Sequence, residues 1–214
     1  MTTFHIITLF PESIEGYLHS SIIGRAIKDK KIKISFYNPR DFTKDKWKRV
    51  DQKPYGGGPG MVLEALSIVK AAERAIGKKK DVPVILFAQD GAQFTNTLAK
   101  TYAKKYEHVV FICGHYEGVD ERVKKILKAK KISVGPYILT GGELPAAIMI
   151  DAISRQIPGI LGKYESLEEG RVGGSVVYTR PEVFVWKGKK YRVPKVLLSG
   201  HHANIDAWKA KKRK

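Results

Sequence analysis

Short apolar runs alternate along this chain with stretches whose apolar residues recur every three or four positions. FHIITLF (4–10), KIKISFYN (31–38), VPVILFA (82–88) and HVVFICG (108–114) read as strands. The last two are apolar without a break, the mark of strands buried on both faces. ISVGPYIL (132–139) is a weaker fifth strand. Between them, EALSIVKAAERAI (64–76), TNTLAKTYAKKY (95–106), GVDERVKKILKA (118–129) and LPAAIMIDAISRQI (144–157) carry helical spacing. Thr95 stands where an N-cap belongs, and Pro145 falls in a first turn, where a missing N–H costs little. The helix at 118–129 has acids early and lysines late, which suits its dipole. Strands alternating with helices predict an α/β domain on a largely parallel sheet.

The pattern breaks after Pro158. Residues 161–177 are glycine-rich, lack periodicity and read as a linker. They divide a domain at 1–160 from a small, mainly helical unit at 178–214 that ends in the basic stretch HHANIDAWKAKKRK. A unit of that size is not expected to be stable on burial alone.

Charge narrows the partners. Lys and Arg number 39 against 21 Asp and Glu, a net +18, which favours a polyanion such as nucleic acid. Cys113 is the sole cysteine, so no disulfide forms within the chain, as suits a reducing compartment. No apolar run approaches the roughly 20 residues of a membrane span. The start MTTFHIITLFPE lacks the basic region and long apolar core of a signal peptide. A cytoplasmic protein without a membrane partner is expected.

In open α/β sheets, ligands bind beyond the carboxyl ends of the strands. AQDGAQ (88–93), CGHYEG (113–118) and GPYILTGGE (135–143) all fall there, and neighbouring strands would gather them into one pocket. Each alone is weak: TGGE reads most often as a turn, and His115 lacks partners at zinc spacing. YGGGPG (55–60) has glycines but no following Lys-Ser/Thr, so it is no phosphate loop of the usual kind.

Taken in order, the pieces are specific. TLFPE (8–12), GRAIK (24–28), NPRDFT (38–43), KPYGGGPGMV (53–62), ICGHYEGVDERV (112–123), SVGPYILTGGELPA (133–146), IPGILG (157–162), YTRPEV (178–183) and VLLSGHHANIDAW (196–208) follow one another. This resembles the bacterial tRNA (guanine-N1)-methyltransferases, SPOUT-class knotted enzymes acting on the guanosine just 3′ of the anticodon. The resemblance spans nearly the whole chain. It implies an α/β sheet with a deep C-terminal trefoil knot, a homodimer with its active site at the interface, and S-adenosylmethionine as methyl donor. Carried over by position, the cofactor residues would be Leu86, Ala88, Gly114, Glu117, Ser133, Val134, Gly135, Pro136, Tyr137, Ile138, Leu139, Gly141, Gly142 and Pro145. Arg155 matches the arginine that steadies the guanine, and Glu169 stands where the family has its aspartate base, with Glu168 as rival. For the anticodon branch of tRNA, the resemblance points to Lys53, Tyr55, Gly58, Arg180 and His202. It also admits Mg²⁺ assistance, although the sequence holds no dedicated metal cluster.

The chain departs from the family pattern in places. Glutamate replaces the linker aspartate, Arg171-Val172 replaces a Leu-Leu pair, Ala88 stands for a proline, Asp90 is inserted, and Pro136 sits where aspartate is common. The C-terminal domain is short for the family. Other readings share parts of the pattern: the same fold acting on another RNA base, or a knotted RNA-binding protein with altered or lost catalysis. An NTP-binding enzyme is disfavoured by the missing phosphate-loop lysine.

Overall fold

The unbroken apolar runs form the centre of the sheet. The computed structural model describes residues 1–161 and 176–211, and the chain divides into two compact units, Met1–Ile160 and Leu161–Lys214. In the first unit the strands are β1 (Thr2–Ile7), β2 (Ile32–Tyr37), β3 (Asp51–Gln52), β4 (Val62–Leu63), β5 (Val84–Gln93), β6 (His108–Ile112) and β7 (Lys130–Ser133). Five of them pair in parallel in the order β2-β1-β6-β5-β7, while β3 and β4 form a separate antiparallel pair. The helices of this unit are α1 (Glu12–Leu18), α2 (Ser21–Lys28), α3 (Ala65–Ile76), α4 (Asn96–Lys105), α5 (Arg122–Leu127) and α6 (Glu143–Arg155).

Successive strand residues point to opposite faces, so β6 feeds two cores. Val109 and Phe111 join Phe4, Ile6, Ile85, Met149, Ile150 and Ile153 in one, which takes in buried residues of α1, α2, α4 and α6. Val110 and Ile112 join Ile7, Ile68 and Ala72 in the other, which holds α3 and Val123 of α5. Each of these fully buried large side chains contributes about 1.5–3 kcal/mol. Thr95 caps α4 as expected, its Oγ accepting from the Leu98 N–H at 3.3 Å.

Four local readings change. The helices α1 and α2 were not anticipated; Ile14, Leu18, Ile23 and Ala26 bury their apolar sides. Strand β7 stops at Ser133 rather than 139. There Ser133 Oγ bonds the Gly135 carbonyl at 3.0 Å, and Pro136 has no N–H to offer a neighbouring strand. Strand β5 runs on to Gln93, and Ala88–Gly91 is squeezed out of register, since Phe87 and Ala92 both face Ile132. Helix α5 begins only at Arg122, because Gly118 and Asp120 are bonded to Leu63 instead.

The second unit holds β8 (Val183–Trp186) paired antiparallel with β9 (Lys189–Arg192), then α7 (Lys195–Leu198) and α8 (His202–Lys211). The hairpin, which was not anticipated, stands beside the helices expected there. None of its described residues is buried.

Candidate active site

The three loops expected to meet do meet. At the irregularity in β5 and beyond the carboxyl ends of β6 and β7 lies a cleft walled by Phe87–Gln89, Gly114–Gly118, Ser133–Gly135 and Tyr137–Gly142. Twelve of the residues carried over as cofactor contacts line it: Ala88, Gly114, Glu117, Ser133, Val134, Gly135, Tyr137, Ile138, Leu139, Gly141, Gly142 and Pro145. Two do not. Leu86 turns into the α3 side of the sheet and is 5% exposed. Pro136 faces solvent at the tip of the loop.

Close approach decides the residues of this loop. The Gly142 N–H donates to the Gly114 carbonyl at 3.0 Å, and His115 bridges Gly141. A Cβ on Gly142 would lie 2.5 Å from the Cys113 Cα. At Gly135, the Tyr137 ring occupies the space a side chain would need, and the Tyr137 hydroxyl donates to the Val134 carbonyl at 3.2 Å. The floor is thus bare backbone, while Val134, Ile138 and Leu139 give apolar walls. Such a mixture suits a ligand with a flat ring and a polar end. Glu117 is exposed among the lining residues and brings a carboxylate to the cleft.

One buried acid ties the cleft to the sheet. Glu143, the first residue of α6, is 5% exposed. Its carboxylate accepts from Thr8 Oγ at 2.5 Å and pairs with His115 Nε2 at 2.7 Å. Thr8 Oγ also accepts from the Phe10 N–H, and the Phe10 ring packs edge-on to His115 at 4.8 Å. Three segments distant in sequence are therefore pinned at one carboxylate, at a helix N-terminus that favours negative charge. Burial, with Glu143 beside it, pushes the Cys113 thiol well up, so it stays a neutral packing group rather than a nucleophile.

The remaining candidates lie elsewhere. Arg155 is the last residue of α6, whose first turn forms the cleft, so within one chain it stands about 18 Å away along the helix. Glu168 and Glu169 fall outside the described residues. Lys53, Tyr55 and Gly58 are exposed on the loop between β3 and β4, and Tyr55 is bare to solvent. That loop abuts the cleft: the Glu117 N–H donates to the Met61 carbonyl at 3.0 Å, and a Cβ on Gly60 would meet the Glu117 side chain. Arg180 and His202 are exposed residues of the second unit. Among the described residues no group of His, Cys, Asp and Glu could hold a metal ion, and no helix is long and apolar enough to cross a membrane.

Comparison with known proteins gives the family. The family described as "tRNA (Guanine-1)-methyltransferase TrmD" matches residues 2–214. The chain belongs to this family. A tRNA (guanine-N(1)-)-methyltransferase of Carboxydothermus hydrogenoformans is 46% identical over 210 residues, covering 96% of this chain and 80% of that one. A namesake from Buchnera aphidicola is 43% identical, covering 97% and 88%. Another, from Caldanaerobacter subterraneus, is 44% identical, covering 98% and 86%.

Sequence reasoning missed the anchoring role of Glu143 and gave His115 no partner. A signal existed. An acid at the head of an apolar helix, behind two glycines, has little room to reach solvent once the loop folds back. In this TrmD-family chain Gln89, Tyr116, Gly118 and Thr140 also line the cleft, although no residue-level argument had singled them out.

Proposed function

We propose that the chain, a tRNA (guanine-N1)-methyltransferase by family, methylates N1 of the guanosine just 3′ of the anticodon, as a homodimer, with S-adenosylmethionine bound in the cleft. Family membership over residues 2–214 carries the reaction. The cleft's bare backbone and apolar walls fit the adenosine of the donor, and Glu117 fits its charged end. The donor supplies a methyl group made electrophilic by a sulfonium.

This chain's residues must do three things. They must hold the guanine in line with the methyl, remove the proton from N1 as the N–C bond forms, and steady the negative charge that builds toward O6. Arg155 is assigned the last task. Glu169 is assigned the proton: its carboxylate would accept the N1 hydrogen as the methyl group passes from the donor's sulfonium to N1. Glu168 is the fallback.

A second copy completes the site. Arg155 stands about 18 Å along its own α6 from the turn that borders the cleft, which favours service to the cleft of a second copy. Leu144, Ile148, Asp151 and Arg155 lie on one stripe of that helix, and Leu144 and Ile148 are 56% and 41% exposed. The stripe borders an apolar groove with Ile14, Tyr17, Tyr137 and Leu139, and Tyr137 and Leu139 line the cleft as well. A copy seated there with the opposite direction brings its Arg155 toward the cleft. The chain crossing of 140–142 against 113–115 supports the knot expected of the fold. The same reading takes the enzyme to act in the cytoplasm, and a tRNA substrate supports it.

The test uses labelled methyl donor and two tRNA transcripts differing only by guanosine or adenosine 3′ of the anticodon. Label should enter the guanosine transcript alone and be lost in Arg155→Ala and Glu169→Ala. Transfer persisting in Glu169→Ala would move the base to Glu168. Cofactor binding with no transfer to either transcript would overturn the assignment and favour an RNA-binding protein without catalysis.

A further inference from the structure

The loop before β3 carries a tryptophan that the site above does not use. Trp47 is 72% exposed in the sequence Lys44-Asp45-Lys46-Trp47-Lys48-Arg49. The hydrophobic effect alone would bury it, yet the loop is built to hold it out. Asp45 organises the turn: its carboxylate accepts from the Trp47 N–H at 2.8 Å and the Arg49 N–H at 3.1 Å. The Arg49 guanidinium grips the same carboxylate, with Nη2 at 2.9 Å from Oδ2. Thr43 Oγ donates to the Arg49 carbonyl and accepts from the Asp45 N–H, closing the base of the loop. Val50, fully buried, plugs it into the core. The Arg49 guanidinium holds the Asp45 carboxyl down at about 2, so the clasp persists through any physiological pH.

Positive charge surrounds the ring. Lys46 Nζ lies 5.6 Å from the ring centroid. No carboxylate is in ion-pair range of Lys44 or Lys46 among the described residues, and Lys48 reaches Asp41 only at 3.9 Å, a solvent-exposed pair of little strength. A bare aromatic face interleaved with lysines on a fixed loop is the arrangement that stacks an unpaired base while the lysines take its flanking phosphates. The loop also runs without interruption through β3 into the Tyr55–Gly60 segment, which is stitched to Glu117 of the cleft.

We propose that Trp47, with Lys44, Lys46 and Lys48, forms an accessory RNA-binding site. It would stack one unpaired nucleotide of the substrate tRNA, outside the pocket that takes the methylated guanosine. This rests on the reading of the substrate as tRNA. The site acts on substrate docking and leaves the methyl-transfer step alone.

The test uses the full-length enzyme and the guanosine transcript, with tRNA retention on filters measured separately from turnover. Trp47→Ala is expected to raise both the tRNA Kd and the tRNA KM about tenfold, with kcat and cofactor affinity unchanged. Trp47→Phe, which keeps a stacking face, should recover most of that loss. Replacing Lys44, Lys46 and Lys48 together by Gln should flatten the slope of log Kd against log salt by about 2. An unchanged tRNA Kd in Trp47→Ala overturns the proposal. So does Trp47→Phe as weak as Trp47→Ala, or a loss of affinity that accompanies a change of oligomeric mass in sedimentation, which would make Trp47 a contact between copies. Should wild type bind tRNA but transfer no methyl, the reading of the reaction fails while the filter arm still decides on Trp47. Wild type that retains no tRNA overturns both.

Discussion

Two glycine-rich loops flank the cleft, and they use glycine for opposite reasons. In the segment 135–142 the backbone angles are ordinary and space is absent. A Cβ at Gly142 would press on the Cys113 backbone, and one at Gly141 would lie 2.5 Å from the His115 ring and the Glu143 carboxylate. In the segment 56–58 space is plentiful and the backbone is unusual: φ is +86°, +83° and +112°, with no atom within 4 Å of an added Cβ. The first loop is a packed wall fixed by tertiary contact. The second is a projecting strap whose shape is set by its own dihedral angles and whose side chain, Tyr55, is wholly in solvent. A small rigid ligand suits the first; a large partner that closes over the strap suits the second.

Substitutions should separate the two. Gly142→Ala is expected to have the largest effect, because the added methyl meets backbone that cannot yield. Cofactor affinity by calorimetry should fall at least about a hundredfold, and the fold should lose about 1–3 kcal/mol by thermal melting. Wild-type affinity in this variant would break the account of the wall.

Acid provides a control on global stability, set toward the other end of the strands. His5 is 3% exposed and bonds Tyr37 and His108. Burial, then Lys79, His108 and Lys33, bring its pKa from 6.5 to about 4. The unfolded chain therefore takes up a proton below about 6.5 that the folded chain refuses until about 4, so stability falls as pH drops through that window. The loss between pH 7 and pH 5 should be about 2 kcal/mol, and His5→Gln should remove most of this slope in denaturant titrations. The slope should be the same in Gly142→Ala, which would separate damage to the wall from damage to the sheet.

Gly58→Ala should have the smallest effect. The strained φ costs about 1 kcal/mol locally, in a loop that supports no core. The tRNA KM should rise a few-fold while cofactor affinity and melting temperature stay near wild type. Loss of cofactor binding here would show that strap and wall are one structure.

Much of this was legible from the sequence, and the reasons differ by region. Strands β5 and β6 announced themselves because burial on both faces demands unbroken apolar runs, and β1 and β2 through short apolar runs, that of β2 interrupted by Lys33 and Ser35 as suits an edge strand. The gathering of the 88, 114 and 135–143 loops followed from a parallel sheet, which puts their strands' carboxyl ends on one edge. Helices α1 and α2 were missed because short amphipathic turns lack a long period and find their stability in packing. The extent of β7 was misread because apolar residues after Ser133 look like strand until Gly135 and Pro136 turn the chain out.

The sequence alone determined the alternating α/β order, the caps, the cationic surface and the family, since these depend on local pattern or on motif order. Only the tertiary structure decided that Glu143 is buried between Thr8 and His115, that Leu86 faces the core while Phe87 and Ala88 line the cleft, and that Arg155 stands a helix length from the cleft it is assigned to serve. Those facts depend on which segments meet across more than a hundred residues and on which side of a sheet a residue falls, and a shift of one position reverses the latter.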